Sequence, residues 1–492
     1  MSGSDDIEPW AKLEIEQSNC GDARINRRMG KLLSVLGQSP GASIPQACNG
    51  QHGDIAAAYR FFDNPAASPE NILTAHTLQS LARMGEESTV LLVQDTTEID
   101  LSQPQRRIQG AGPLDASARQ GALLHLMHAF SPDGTPLGSV WHKLIIRPER
   151  LLPGEKGVRT ERQTRAQRQN TPLEQKESIR WIEGLAKAQA LALAQPQVRM
   201  ICIADSEADI YEYLAHQSQH DSPVQAHWIV RACQPRVLLD AEDQNAGTVL
   251  EACAQGPVLW NKTVHVRGRQ PKLACDKRKR RQPREDRDIL VEARAASGLR
   301  LRSPYRRGQR LEEVRLNAVL VSEVCPPESD VPVEWLLLTS LPVDTAQQVQ
   351  QVVEAYTQRF MIEVLFRVLK SGCRIEERRF EKVERHLSHL ALALIIAWRV
   401  LRLSQMGQHQ AQKSAQEVFT TAEWQAGWSR INRGKPLPAQ APSVGEMVHI
   451  VGKLGGWIQR GGKSASPPGV QTLWQGLQRL HDLATMWNIC HS

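Results

Sequence analysis

The sequence lacks the features that define several large classes of protein. Its nine cysteines are scattered, without a C-x-x-C pair or a His/Cys cluster at zinc spacing, which predicts reduced thiols in a cytoplasmic protein. It has no run of about 18 uninterrupted apolar residues. The nearest, 387–401, contains His389 and Arg399 and predicts a buried core helix. The first ten residues are acidic and polar, unlike a signal peptide, and we find no solenoid-type repeat.

The chain has the length and charge of a large protein that can bind a polyanion. Its 492 residues are enough for roughly two to four domains and at least one large core. Lys and Arg number 60 against 53 Asp and Glu, and the pI is about 9.0. This mild positive balance permits a polyanionic partner.

The two ends of the chain are predicted to be helical. Residues 1–75 are also basic: one helix is capped by Asp22, a second ends at Asn64-Pro65, and a third begins after Ser68. The last hundred residues carry apolar faces that fit either a partner chain or the protein's own core, and we favour a dimer contact. A polar stretch between their helices predicts a linker at 432–443.

The middle of the chain is predicted to alternate strands and helices. Two short apolar runs, 88–95 and 197–205, each end in an acid and predict buried strands, with a hairpin and a helix between them. A second helix is expected to begin just after Asp205. The stretch from about 222 to 345 predicts mostly strands. Two polar or basic loops are predicted, at 147–172 and 276–287.

The two strand-terminal acids, Asp95 and Asp205, suggest one site. In open α/β sheets, active sites lie at the carboxyl ends of the strands. Two carboxylates in a small space repel each other unless a divalent cation lies between them. Glu363, on a predicted helix over the sheet, would complete the set. Three acidic ligands without a His/Cys cluster suit Mg²⁺ or Mn²⁺ better than zinc, and this combination serves two-metal phosphoryl transfer.

The stretch 356–372 predicts a helix that is apolar over more than half its circumference. Its narrow polar stripe contains Arg359, Glu363, Arg367 and Lys370. One interpretation is an ordinary amphipathic helix with a solvated face. The other is a partly enclosed carboxylate beside cations, which is costly unless the protein uses it.

Four motifs together resemble the DDE transposases of the IS4 family, of the Tn5 (IS50) type, over nearly the whole chain. They are QDTT at 94–97, IADSEADIYEYL at 203–214, EWLLLTS at 334–340, and the signature Tyr-x2-Arg-x3-Glu-x6-Lys at Tyr356, Arg359, Glu363 and Lys370. The signature offsets of 3, 7 and 14 return to one face of a helix. The chain departs from the family pattern at Ser206 and Phe360, neither of which is a predicted metal ligand.

The resemblance implies an α/β fold with three parts. An N-terminal helical DNA-binding domain at 1–75 would recognise the transposon end. A ribonuclease H-like catalytic core at 76–386 would contain a β-rich insertion at about 222–345. A C-terminal helical domain at 387–492 would mediate dimerisation.

The resemblance also implies an activity and its partners. The activity is cut-and-paste transposition: strand nicking by water, attack of the freed 3′-OH to form a DNA hairpin, hairpin opening, and strand transfer. Asp95, Asp205 and Glu363 would be catalytic and would hold Mg²⁺, for which Mn²⁺ can substitute. The partners would be double-stranded DNA, as terminal repeats and target, and a second copy in a paired-end complex. A nucleoid-associated cytoplasmic protein without a membrane partner is expected.

Six further positions are implied to contact DNA, and each has a plainer alternative. Tyr356, Arg359 and Lys370 would bind phosphates near the cleaved bond, or form an ion-pair network around Glu363. Trp335 would stack on an extruded base, or be a core aromatic. Arg231 and Arg60 would contact phosphates, or serve surface or capping roles. The basic loop at 276–287 would contact DNA nonspecifically, or serve only solubility.

Two other functions compete with an active transposase. A catalytically silent protein could occupy transposon ends without cutting, although three mutually repelling acids argue against it. Another ribonuclease H-like DNA nuclease is the second, although a separate basic N-terminal segment favours an enzyme that holds a specific end.

Overall fold

The computed structural model describes residues 7–103, 107–114, 119–148, 171–216, 224–266, 268, 285–305, 311–327, 330–458 and 467–491. The chain divides into two compact units. The first unit comprises Met1–Glu87, Asp95–Gln169 and Phe360–Ser492, and the second comprises Ser88–Gln94 and Asn170–Arg359. All cysteines among the described residues are free thiols.

The described residues form a mixed α/β protein. The helices are α1 (Pro9–Ile15), α2 (Ala23–Gln38), α3 (Ile44–Ala47), α4 (His52–Phe62), α5 (Pro69–Gly85), α6 (Ile179–Ala194), α7 (Tyr211–Leu214), α8 (Val249–Gln255), α9 (Ala346–Thr357), α10 (Phe360–Arg367), α11 (Val383–His409), α12 (Thr421–Ile431), α13 (Val444–Leu454) and α14 (Val470–His491). The strands are β1 (Thr89–Asp100), β2 (Gly112–Pro113), β3 (Gln120–Phe130), β4 (Pro136–Ile145), β5 (Arg199–Ala204), β6 (His227–Arg231), β7 (Val237–Leu239), β8 (Asn245–Thr248), β9 (Val258–Val266), β10 (Arg287–Leu301), β11 (Val314–Glu323) and β12 (Glu334–Thr339).

The second unit is built on a mixed sheet. The first half of β1 pairs in parallel with β5, and β5 pairs in parallel with β6. These strands are buried apolar runs, as expected for parallel strands covered on both faces. Antiparallel pairing then joins β6 to β12, β12 to β11 and β11 to β10. The strands predicted between 222 and 345 are confirmed, and β6 among them extends the same sheet as β5.

The first unit contains the hairpin and most of the helices. The predicted hairpin is confirmed as β3 and β4, which pair antiparallel. Helices α2 and α5 begin where predicted, because the side chains of Asp22 and Ser68 accept hydrogen bonds from backbone N–H groups of the first turn. The linker predicted at 432–443 joins α12 to α13. Helix α13 and part of α14 bury their apolar faces within the chain, while Met486 and Ile489 at the end of α14 are exposed.

The long helix α11 is the buried core helix that the sequence predicted. It is long and apolar enough to cross a membrane by length and composition, and 94% of its most apolar window is buried inside the fold. A core helix passes the same test. The cation that interrupts it, Arg399, is buried and lies 4.3 Å over the ring of Trp10 on α1.

A buried polar network joins α1 to α5 and α11. Glu14 accepts from Arg83 Nη1 at 2.7 Å, and its other oxygen lies 2.6 Å from His76 Nδ1. Because the backbone N–H of Ser139 donates to His76 Nε2, the ring is a neutral Nδ1–H tautomer that donates to Glu14. Burial would raise the pKa of Glu14, but His76 and Arg83 together hold that pKa below its ordinary value. Arg83 also lies 4.3 Å over the Trp398 ring.

Replacing Glu14 by glutamine should destabilise the first unit strongly. The change leaves Arg83 without its carboxylate, and breaking a buried pair from one side costs about 3–5 kcal/mol. Urea unfolding followed by tryptophan fluorescence measures the loss. The matched change Glu417→Gln removes an exposed pair with Lys413, at 3.9 Å, and should cost at most about 1 kcal/mol. Equal losses for the two variants would contradict a structural role for the network.

Three predictions about secondary structure are wrong or outside the described residues. The segment after Asp205 does not start a long helix: it forms the 3-10 turn Ser206–Ala208 and then the single-turn α7. Helix α8 lies within the stretch predicted as strands. The loops predicted at 147–172 and 276–287 fall almost wholly outside the described residues.

Candidate active site

Asp95 lies inside a strand, which corrects the prediction that the strand ends there. Strand β1 continues to Asp100, although its parallel pairing with β5 stops at the pair Val93–Ile203. Asp95 is half-buried, and one oxygen of its carboxylate accepts from the backbone N–H of Thr96 at 2.7 Å. The strand continues past Asp95 because Ile99 and Leu101, two residues apart, point to the same side and are both buried.

Asp205 immediately follows β5, as predicted. Its carboxylate caps the next turn by accepting from the backbone N–H of Glu207 at 2.8 Å. Glu207 in turn pairs with Arg180 of α6 at 2.7 Å. Asp205 therefore lies on a short turn that a side-chain cap and an ion pair hold in place.

The sequence analysis missed Asp209, a buried acid four residues further on. Its carboxylate accepts from the backbone N–H groups of Cys233 and Gln234, each at 2.8 Å, and pairs with Arg236. Asp209 thus ties the turn after β5 to the turn after β6. The last acid of the ADSEAD motif was the available signal, but the partners of a buried acid come from distant parts of the sequence.

The predicted single helix 356–372 does not exist, which corrects the placement of its charges on one face. Helix α9 ends at Thr357 and α10 begins at Phe360. The N–H groups of Gln358 and Arg359 bond to the carbonyls three residues back, and the Thr357 hydroxyl bonds to Glu354 O at 2.6 Å. Such local side-chain bonds compete with the helix ladder. No Gly or Pro marks the break.

Five of the nine predicted site residues lie in the second unit, around the ring of one of them, Tyr356. The other four are Asp205, Arg231, Trp335 and Arg359. The rings of Trp335 and Tyr356 meet edge to face, with centroids 5.6 Å apart. Burial raises the pKa of Tyr356, the cations of Arg359 and Arg231 lower it, and the anion of Asp205 raises it again. The balance holds the pKa above its ordinary value, so the phenol stays protonated and can donate to an anion.

Arg231 is exposed at the end of β6. It pairs with Leu337 of β12, and its Nη2 lies 3.4 Å from Glu334 O. Trp335 follows Glu334 and is only partly buried. The second unit therefore places two cations, an aromatic ring and the buried phenol of Tyr356 beside Asp205.

The remaining predicted residues lie in the first unit. Glu363 is half-buried on α10. Lys370 lies in a π-helical turn, Val368–Gly372, and pairs with Glu376 at 3.5 Å, and Glu376 also accepts from the backbone N–H of Asp100 at 3.0 Å. Short π-helical turns occur often at functional sites. Arg60 is exposed on α4, where its Nε bonds to the carbonyl of Ala56.

The donors that the sequence analysis selected fit a hard divalent cation. Asp95, Asp205 and Glu363 offer only carboxylate oxygens, which Mg²⁺ and Mn²⁺ prefer. Over the described ranges, no group of three or more His, Cys, Asp or Glu side chains is close enough to hold a metal ion.

Three protein-family models match this chain. They are a transposase DNA-binding domain at 7–67, a transposase DDE domain at 163–399 and a Tn5 transposase dimerisation domain at 395–486. Together these matches span most of the chain, and their order defines a DNA-binding, dimer-forming enzyme that moves DNA. The chain belongs to the Tn5-like DDE transposases of the IS4 family. Members of the DDE family generally use divalent metal ions. The DDE match contains Asp205 and Glu363 but not Asp95.

A solved structure is also similar to this chain. It is a cryo-EM structure of a piggyBac transposase synaptic complex with hairpin DNA, 9% identical in sequence, with a TM-score of 0.35 over 88% of this chain and 80% of that one. A TM-score of this size does not establish a shared fold.

Proposed function

We propose that this transposase acts by cut-and-paste chemistry, with Asp95, Asp205 and Glu363 holding Mg²⁺ or Mn²⁺ in a ribonuclease H-like core. The parallel order β1, β5 and β6 supports the core. Asp95 and Asp205 each follow, by two residues, one member of the parallel pair Val93–Ile203. The observation that carries the proposal is the gathering of Asp205 with Arg231, Trp335, Tyr356 and Arg359 in a chain that belongs to the DDE transposases.

The chemistry follows from what these residues are. A bound divalent cation favours ionisation of an attacking water or 3′-hydroxyl and stabilises the leaving oxygen of a phosphodiester. The three carboxylates bind that cation and fix its position. We expect the cation and the DNA to bind together, because phosphodiester oxygens are also ligands that such a cation prefers.

The surface beside Asp205 fits the DNA backbone. Arg231 and Arg359 present guanidinium groups that suit phosphate oxygens, and the protonated Tyr356 phenol donates a further hydrogen bond. Trp335 supplies an aromatic face for an extruded base. In the first unit, Lys370 in the π-helical turn and Arg60 on α4 bind phosphates.

The three domains carry distinct tasks in this proposal. Residues 1–75 recognise the terminal repeat, 76–386 perform the chemistry, and 387–492 join two copies in a paired-end complex. The exposed apolar residues at the end of α14, Met486 and Ile489, are consistent with a partner contact there.

Cleavage of linear DNA that carries the element's own terminal repeats tests the proposed function. With Mg²⁺, the wild-type protein should release the element by double-strand breaks and leave hairpin ends, and EDTA should stop cleavage. DNA without the repeats should survive. Binding of the ends without cutting, at any Mg²⁺ or Mn²⁺ concentration, would favour the silent end-binding protein. Equal cleavage of unrelated DNA would favour another nuclease on the same core.

A further inference from the structure

The two residues that flank Asp95 are both fixed by buried polar side chains. Gln94 precedes it in the second unit, and Thr96 follows it in the first. Neither contact was evident from the sequence, since each partner lies far along the chain. Asp95 lies between these two residues in the sequence.

Thr96 makes the first contact. Its backbone N–H donates to Asp95 Oδ1 at 2.7 Å, and its hydroxyl lies 2.8 Å from Nδ1 of His125 on β3. His125 is fully buried and packs edge to face on Trp141, with ring centroids 5.6 Å apart. A ring held in this way fixes the hydroxyl, the hydroxyl fixes the peptide of Thr96, and the peptide fixes one carboxylate oxygen of Asp95.

Gln94 makes the second contact. Its side chain is fully buried, and its Nε2 donates to Sγ of Cys202 on β5 at 2.8 Å. Tyr213 also donates to this sulfur, at 3.6 Å. Helix α6 approaches so closely that a Cβ at Gly184 would lie 2.1 Å from Gln94 Oε1. Side chains alternate along a strand, so a fixed Gln94 directs Asp95 to the opposite face.

We propose that Thr96, His125 and Gln94 are positioning residues that hold the Asp95 carboxylate in the orientation that binds the divalent cation. This inference rests on the proposed function, because it takes Asp95 as a ligand. Hydrogen bonds that orient a metal-binding carboxylate raise metal affinity, and losing one costs about 10–100-fold in affinity or activity. Burying an imidazole, a hydroxyl and an amide costs folding free energy unless each is hydrogen-bonded. Here these groups are hydrogen-bonded, and they lie next to a predicted metal ligand.

Direct measurement of metal affinity tests the proposal. The free Mn²⁺ signal in electron paramagnetic resonance gives the Mn²⁺ affinity of the protein on pre-cleaved end DNA, where no reaction is needed. The Mg²⁺ concentration for half-maximal cleavage is measured beside it. Thr96→Val, His125→Leu and Gln94→Leu should each weaken Mn²⁺ binding about tenfold and raise the Mg²⁺ requirement by a similar factor.

Conservative variants separate positioning from packing. Thr96→Ser keeps the hydroxyl, and His125→Asn keeps a polar atom at the Nδ1 position, so both should bind Mn²⁺ almost as the wild type does. Thr339→Val removes another buried hydroxyl, which donates to Trp228 O, and should lower the melting temperature without changing Mn²⁺ affinity. Wild-type Mn²⁺ affinity in Thr96→Val and His125→Leu would overturn the inference. An unchanged metal requirement in Asp95→Ala would instead overturn the proposed function.

Discussion

Replacing any one of Asp95, Asp205 or Glu363 by its amide should abolish cleavage and leave end binding intact. Each amide keeps the shape of the side chain and removes the charge that a hard cation needs. A catalytic metal typically supplies several kilocalories per mole of transition-state stabilisation, so the proposed function predicts a loss of about a thousandfold or more. Single-turnover cleavage of end-bearing DNA measures the chemistry, and gel shifts in EDTA measure binding.

A matched control for this prediction is Glu354→Gln. Glu354 is an exposed carboxylate on α9 that pairs only weakly with Lys262, at 3.9 Å, so its amide should cleave at the wild-type rate. Increased end binding in the amide variants would agree with relief of repulsion between carboxylates and phosphates. Cleavage at the wild-type rate by Asp205→Asn or Glu363→Gln would contradict their role as ligands, whatever happened at Asp95.

The strands and several helix starts could be predicted because their signals are local. Apolar runs such as 88–95 and 197–205 predict buried strands from their hydrophobicity alone. Asp22 and Ser68 cap the helices that directly follow them, within three residues. Helix α8 carried the same kind of signal, a capping box of Thr248 and Glu251, within a stretch that we predicted as mostly strands.

The sequence could not show what depends on distant partners. The break between α9 and α10 is made by hydrogen bonds of Thr357, Gln358 and Arg359, residues that also occur within helices. The partners of Gln94 and Thr96, namely Cys202 and His125, lie 108 and 29 residues away. Whether three acids separated by more than a hundred residues form one site is likewise a property of tertiary structure and of the bound DNA.

The first unit should unfold steeply when the pH falls below about 6.5. Four of the described histidines in this unit are both almost fully buried and lowered in pKa: His76, His128, His386 and His389. Burial lowers the pKa of each, in the case of His386 to about 4. In the unfolded chain these rings gain protons near pH 6.5, while in the folded protein they cannot. Their contribution to stability is therefore full above pH 6.5 and is lost as the pH falls through the folded pKa values.

Each such histidine changes the free energy of unfolding by at most about 1.4 kcal/mol per pH unit, so four together change it by about 5. Domain stabilities are about 5–15 kcal/mol, which places the loss of the fold near pH 5.

Urea titrations between pH 7.5 and 5 measure the slope of the unfolding free energy against pH. His389 packs against the rings of Phe62 and Phe380, so His389→Phe keeps the packing, removes one titrating group, and should reduce the slope by at most about 1.4 kcal/mol per pH unit. A stability independent of pH over this range would mean that the buried rings are protonated in the folded protein. Groups around each ring would then have to stabilise a buried positive charge. The aromatic rings that pack against His389 include no anion that could do so.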